Sequence, residues 1–240
     1  MHWDFVLILL FLGTAVPWLG RRRVRQLMQM PQTTKEDRLL LYASTIAFQW
    51  LAAGVILWRA GAHGISLASL GFQLANGGMV ALVSVLLSAL VLLNQLVSLH
   101  RISRGAGETH GILPDLAKKI FPQDFGERLV FFAVAVTVSV CEEVIYRGFA
   151  QYVFTNSLWE SVLGGILASA ALFSLAHVYQ GRRGLVATFI VGTLFSVTRS
   201  WTASLVPPIL AHFVADFTAG MLAPSRFRSS GSVVEDQSAN

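Results

Sequence analysis

Seven stretches of the chain carry apolar side chains in nearly unbroken runs: Trp3 to Gly20, Leu39 to Trp58, Gly77 to Leu99, Leu129 to Phe154, Ser161 to Tyr179, Leu185 to Arg199 and Thr202 to Leu222. A bilayer core about 30 Å thick needs roughly 20 such residues as helix. The pattern therefore predicts an all-α fold, a polytopic membrane helix bundle of about seven transmembrane helices. The charges of the first run (Arg21, Arg22, Arg23 and Arg25) follow it instead of preceding it, so it reads as a retained helix and not a signal peptide. The sixth run is short and interrupted by Gly192. Of the connections, Arg59 to Gly77 suits a short amphipathic helix at the membrane interface, and Arg101 to Glu127 an irregular loop with one short helix around Leu116. Residues 1–223 are expected to form one membrane domain, and the polar stretch 224–240 a disordered cytoplasmic tail.

Composition agrees with that pattern. Of the 240 residues, 54% are hydrophobic and 13% charged, where soluble domains carry about a quarter charged; mean hydropathy is +0.61. The net charge of +5 implies no nucleic-acid partner, because the basic residues gather in the connections between apolar runs. Fifteen of the 18 lysines and arginines follow the first, third, fifth or seventh run. Basic loops are retained in the cytoplasm on insertion, which places the N-terminus outside and the C-terminus in the cytoplasm. The single cysteine, Cys141, lies within a run, has no disulfide partner and reads as packing.

Ionisable groups at membrane depth are costly and by default functional. Here they gather in the second half of the chain: Glu142, Glu143 and Arg147 in the fourth run, His177 in the fifth, His212 and Asp216 in the seventh. Glu143 and Arg147, four apart on a helix, stack on one face and neutralise each other; Glu142 points elsewhere, with Tyr146 one turn further on. His212 and Asp216 likewise share a face, so the carboxylate can orient the imidazole. A carboxylate beside an imidazole can take a proton from water, while a second imidazole stabilises an oxyanion: that is hydrolysis. Two histidines and a glutamate equally suit a catalytic zinc, with His177 and His212 as its candidate ligands. A transporter or proton relay would use the same residue types, but the internal repeats and paired helix breaks of such folds are not evident.

Three segments, "EEVIYR" (Glu142–Arg147), "FSLAH" (Phe173–His177) and "HFVAD" (His212–Asp216), resemble in order and spacing the E-E-x-x-x-R, F-x-x-x-H and H-x-x-x-N/D motifs of the CPBP family. These are the intramembrane CAAX proteases and bacteriocin-processing enzymes, also called the Abi family. The resemblance covers about 129–222 and implies an all-helical membrane endopeptidase whose site opens to the cytosol. It implies a membrane-associated or lipidated peptide or protein as substrate, and a bacterial inner (plasma) membrane as the location. Glu142 and His177 would activate water, and His212 with Asp216 would form the oxyanion site. The prenyl-processing members carry asparagine where this chain has Asp216, which donates a hydrogen bond only when protonated. Depth is an open question: at about 1.5 Å per residue Glu142 lies roughly 20 Å from Leu129, His177 roughly 5 Å from the basic turn that follows it, and His212 near mid-span. Either the fourth helix begins well below the surface, or helices tilt and break.

Overall fold

The computed structural model describes residues 2–103, 113–158 and 160–235. It is all-helical, with no strand among those residues. Among the described residues eight helices of two turns or more follow in order: α1 Trp3–Gln29, α2 Lys35–Ala62, α3 Gly77–Ser103, α4 Leu113–Ile120, α5 Phe125–Leu158, α6 Val162–Ala176, α7 Gly181–Thr202 and α8 Val206–Glu235. Five helical segments among the described residues, including α1, α2 and α5, are long and apolar enough to cross a membrane. The chain is thus an integral membrane protein. The other two expected spans fall on α6, a shorter apolar helix, and on the first part of α8.

Two polar anchors fix α2 against its neighbours, one to α5 and one to α1. Thr34 and Asp37 start α2 with reciprocal side-chain caps, and Asp124 starts α5 by accepting the Glu127 amide at 2.9 Å. The Lys35 ammonium beside Asp124 holds that carboxyl below the usual carboxylate range. One turn on, Arg38 bonds both oxygens of fully buried Glu127 (Nε–Oε2 3.1 Å, Nη2–Oε1 2.7 Å). The Tyr42 hydroxyl donates to the carbonyl of Ile120 at the end of α4. Near the opposite end of α2, Asp4 of α1 takes Arg59 at 2.7 Å and His63 at 2.9 Å. Each end of α2 is therefore closed by charge, with the apolar core between them.

Three sequence expectations change. The segment after α2 forms turns, not an amphipathic helix. Gly64 and Gly71 sit at φ +74° and +97°, outside the helical region, and Leu70 between them is 1% exposed in the core. The carbonyl of Gly71 accepts the Leu205 amide at 2.9 Å, so this connection folds back onto the bundle. Gly192 does not interrupt α7, which runs continuously for 22 residues. Past Pro224 the chain stays helical to Glu235, because extending an existing helix needs no new nucleus; residues 236–240 lie outside the described ones. The short helix around Leu116 is α4, and 104–112 of that connection lie outside the described residues.

Helix α5 is not regular. Its backbone opens into π turns over Val144–Ala150 and again over Phe154–Leu158. Such wide turns occur often where a helix carries a functional group. The first begins directly after the two glutamates and holds Tyr146 and Arg147. The Tyr146 carbonyl accepts the Gln151 amide within the wide turn and also the Ser169 hydroxyl of α6 at 2.7 Å. That second bond ties α6 to α5 beside the acidic pair.

Candidate active site

Glu143 is the hub of the buried charges. Its Oε1 accepts from Arg147 Nη1 at 2.8 Å on the same helix and from His212 Nδ1 at 2.8 Å on α8. Glu143 and Arg147 are fully buried, and His212 is 6% exposed. An ionised carboxylate only accepts hydrogen bonds, so the proton in the Glu143–His212 contact belongs to Nδ1. The other ring nitrogen, Nε2, lies 3.6 Å from Asp216 Oδ2 and 3.9 Å from Glu142 Oε2. His212 thus stands between the buried carboxylate that holds it and two more open ones, with side chains 14% (Glu142) and 37% (Asp216) exposed.

Arg147 is held by more than charge. Its guanidinium lies 4.1 Å from the Phe173 ring centre and 5.5 Å from that of Phe195. Gly192 of α7 makes the room for it. A Cβ there would stand 3.2 Å from Arg147 Nη2, 3.3 Å from Phe173 Cδ1 and 3.4 Å from the Ala170 Cα. Gly192→Ala is expected to destabilise the bundle by about 1–3 kcal/mol as these neighbours shift. A thermal melt of the detergent-solubilised variant checks this; an unchanged midpoint would mean that the pocket yields freely.

His177 ends α6. Its Nδ1 meets the Phe173 carbonyl at 2.9 Å, and since a carbonyl has no proton, Nδ1 is the donor. In the neutral ring this leaves Nε2 as an acceptor. The imidazole packs on Phe173, ring centres 4.6 Å apart, and Phe173 in turn meets Tyr146 at 5.3 Å and His212 at 6.0 Å. Phe173 therefore separates and orients three site rings. Direct polar contacts join Glu142, Glu143, Arg147, His212 and Asp216; His177 stands beside them, joined through Phe173 and not by a hydrogen bond. Cys141 is fully buried and joins none of these contacts.

The depth conflict is reduced by two features. Helix α5 starts at Phe125 and runs 34 residues, about 51 Å against a core of about 30 Å, so its first turns extend past the hydrocarbon. Helix α6 has only 15 residues, about 22 Å, so its C-terminal histidine need not reach the surface.

One partner is absent from the sequence reading. Gln49, in the middle of α2, donates from Nε2 to Glu142 Oε1 at 2.9 Å. Next to it, Trp50 donates to Thr137 Oγ1 at 3.2 Å. The second oxygen of Glu142, Oε2, is buried with no hydrogen-bond partner, as are Glu143 Oε2 and Arg147 Nε and Nη2. Buried polar atoms of this kind are places for water. A zinc ion would need three or more converging ligands, and among the described residues no group of three His, Cys, Asp or Glu side chains is placed to hold one. His177 and His212 do not form such a set here, so no step is derived through a metal.

Fold and site together define the class: an all-helical integral membrane protein with carboxylates, an arginine and imidazoles gathered inside its helix bundle. Residues 124–218 match the family described as type II CAAX prenyl endopeptidase Rce1-like. The matched segment begins at the Asp124 cap of α5 and ends two residues after Asp216, so it includes all three motifs. The chain is also similar to an uncharacterised 24.3 kDa protein of Escherichia coli, 32% identical over 95 residues; the alignment spans 39% of this chain and 43% of that protein. No solved structure matches the chain.

Proposed function

We propose that the protein is an intramembrane endopeptidase that hydrolyses a peptide bond in a membrane-associated or lipidated substrate. The supporting observation is the meeting of α5 with α8 inside an apolar bundle: hydrogen bonds of 2.8 Å join Glu143 to Arg147 and His212, and Glu142 and Asp216 stand 3.9 and 3.6 Å from the other nitrogen of His212. Glu142 acts as general base, with His177 Nε2 accepting the second hydrogen bond of the attacking water. The water O–H bond breaks and its proton passes to Glu142. The hydroxide oxygen bonds to the scissile carbonyl carbon, whose π electrons move onto oxygen. That oxyanion is met by His212 as an imidazolium, whose Nδ1–H stays on Glu143 while its Nε2–H donates to the oxyanion, with Asp216 at its side. Collapse re-forms the carbonyl and breaks the C–N bond as Glu142 returns its proton to the leaving nitrogen. A carboxylic acid and an amine leave, and the acid passes its proton to the amine as they separate.

Seven spans with the N-terminus outside suit this mechanism. The basic connections, the Arg38–Glu127 anchor and the open end of α6 then share the cytoplasmic side. The expected location is a bacterial plasma membrane. The test uses the purified protein in detergent with two fluorogenic probes, a farnesylated peptide with a C-terminal Cys-aliphatic-aliphatic-X sequence and its unprenylated counterpart, each with and without chelator. Cleavage by wild type and loss of it in His177→Ala support the proposal, and chelator sensitivity would add a metal to it. Absence of cleavage of both probes, together with ion flux in proteoliposomes, would replace the peptidase with a transporter.

A further inference from the structure

We propose that Gln49 is a positioning residue of this site, fixing which oxygen of Glu142 serves as the base; the inference rests on the peptidase reading above. Gln49 lies on α2, 75 residues before the start of the family match at residue 124, and no motif includes it. Its amide N–H occupies Glu142 Oε1 at 2.9 Å, while Oε2 is buried, without a hydrogen-bond partner, and 3.9 Å from His212 Nε2. A carboxylate free to rotate about its last torsion presents either oxygen, since that torsion is soft and roughly two-fold. Pinning Oε1 removes this freedom and leaves Oε2 as the oxygen open to a water proton.

Two neighbouring contacts hold Gln49 in place. Trp50, the next residue on α2, is tied to Thr137 of α5 at 3.2 Å, and Arg38, three turns earlier, is tied to Glu127 of α5, so α2 is registered against α5 beside Gln49 and at the start of both helices. Gln49 is also partly exposed while Glu142 Oε2 is enclosed, as expected if the amide forms the rim of the pocket and the free oxygen its floor. The first half of the chain therefore completes the site, and the matched segment alone lacks a donor that the reaction needs.

The experiment compares wild type, Gln49→Met and Gln49→Glu on whichever of the two fluorogenic probes wild type cleaves, together with thermal midpoints in the same detergent. Gln49→Met keeps the length of the side chain and removes the donor; Gln49→Glu replaces a donor with an acceptor facing the same oxygen. Positioning predicts a kcat at least about tenfold lower for Gln49→Met with KM within about twofold, a larger loss for Gln49→Glu, and a midpoint for Gln49→Met within a few degrees of wild type. An effect of geometry alone on a catalytic group reaches this size. Wild-type kcat in Gln49→Met would overturn the proposal while leaving the peptidase intact. A raised KM at unchanged kcat would also overturn it, by making Gln49 a substrate contact. A fall in rate matched by a collapse of the midpoint in both variants would reduce Gln49 to packing. If wild type cleaves neither probe, the peptidase reading itself fails, a result distinct from all of these.

Discussion

Glu142→Gln is expected to lower the cleavage rate by about 10³-fold or more while leaving the folded protein intact. General-base catalysis by a positioned side chain contributes about 10²–10⁴-fold, and the replacement amide has no site that takes up a proton at neutral pH. It does keep an oxygen that can accept from Gln49, so the contact between α2 and α5 survives. Glu142 is also not part of the Glu143–Arg147–His212 chain of short bonds, and its loss strands no buried charge. The melting midpoint should accordingly stay close to that of wild type. The comparison variant is Glu143→Gln, which removes the charge holding both Arg147 and His212 and should lower stability along with rate. Activity within tenfold of wild type in a well-folded Glu142→Gln would remove Glu142 from the reaction, and the water-activating role would have to move to Asp216 or His177.

The parts of this site that lie on one helix can be read from the sequence; those that join helices cannot. Glu143 with Arg147, and His212 with Asp216, are i,i+4 pairs, and helical periodicity alone puts each on one face. The order of the three motifs likewise points to α5, α6 and α8. But the link that joins α5 to α8, Glu143 to His212, connects residues 69 apart in sequence, and nothing local in either segment announces it. The pattern assigns Glu143 to Arg147 alone; the structure has one oxygen serving both. Gln49 is invisible for a related reason. A glutamine in an apolar run breaks no periodicity, and its partner is 93 positions away. Arg38 reads as one more loop charge of the basic side, although it is 5% exposed and bonded to a buried glutamate. The turns around Leu70 are also hidden, because "GISLASLGF" has an amphipathic spacing while two glycines at positive φ shape its fold.

Arg147→Ala is expected to lower the yield of folded protein sharply as well as the rate. The guanidinium is completely buried, paired at 2.8 Å with a glutamate that is also completely buried, and covered by Phe173 and Phe195. Removing one partner of such a pair costs about 3–5 kcal/mol, since the other charge stays behind without compensation, and this is a large fraction of the total stability of a typical domain. His212 would be the only remaining donor to Glu143 Oε1, so the ring that meets the oxyanion would also lose its fixed neighbour. The double variant Glu143→Gln with Arg147→Met separates the two effects. It removes both charges and keeps much of the volume, so fluorescence-detected size exclusion should recover at least half of the folded yield lost in Arg147→Ala, whereas the rate should stay low because His212 Nδ1 no longer donates to a carboxylate. Non-additivity of this kind is what coupled neighbours show in a double-mutant cycle. A well-expressed and fully active Arg147→Ala would mean that the buried pair neither stabilises the bundle nor orients its histidine, and the hub would then have to be sought at Glu142.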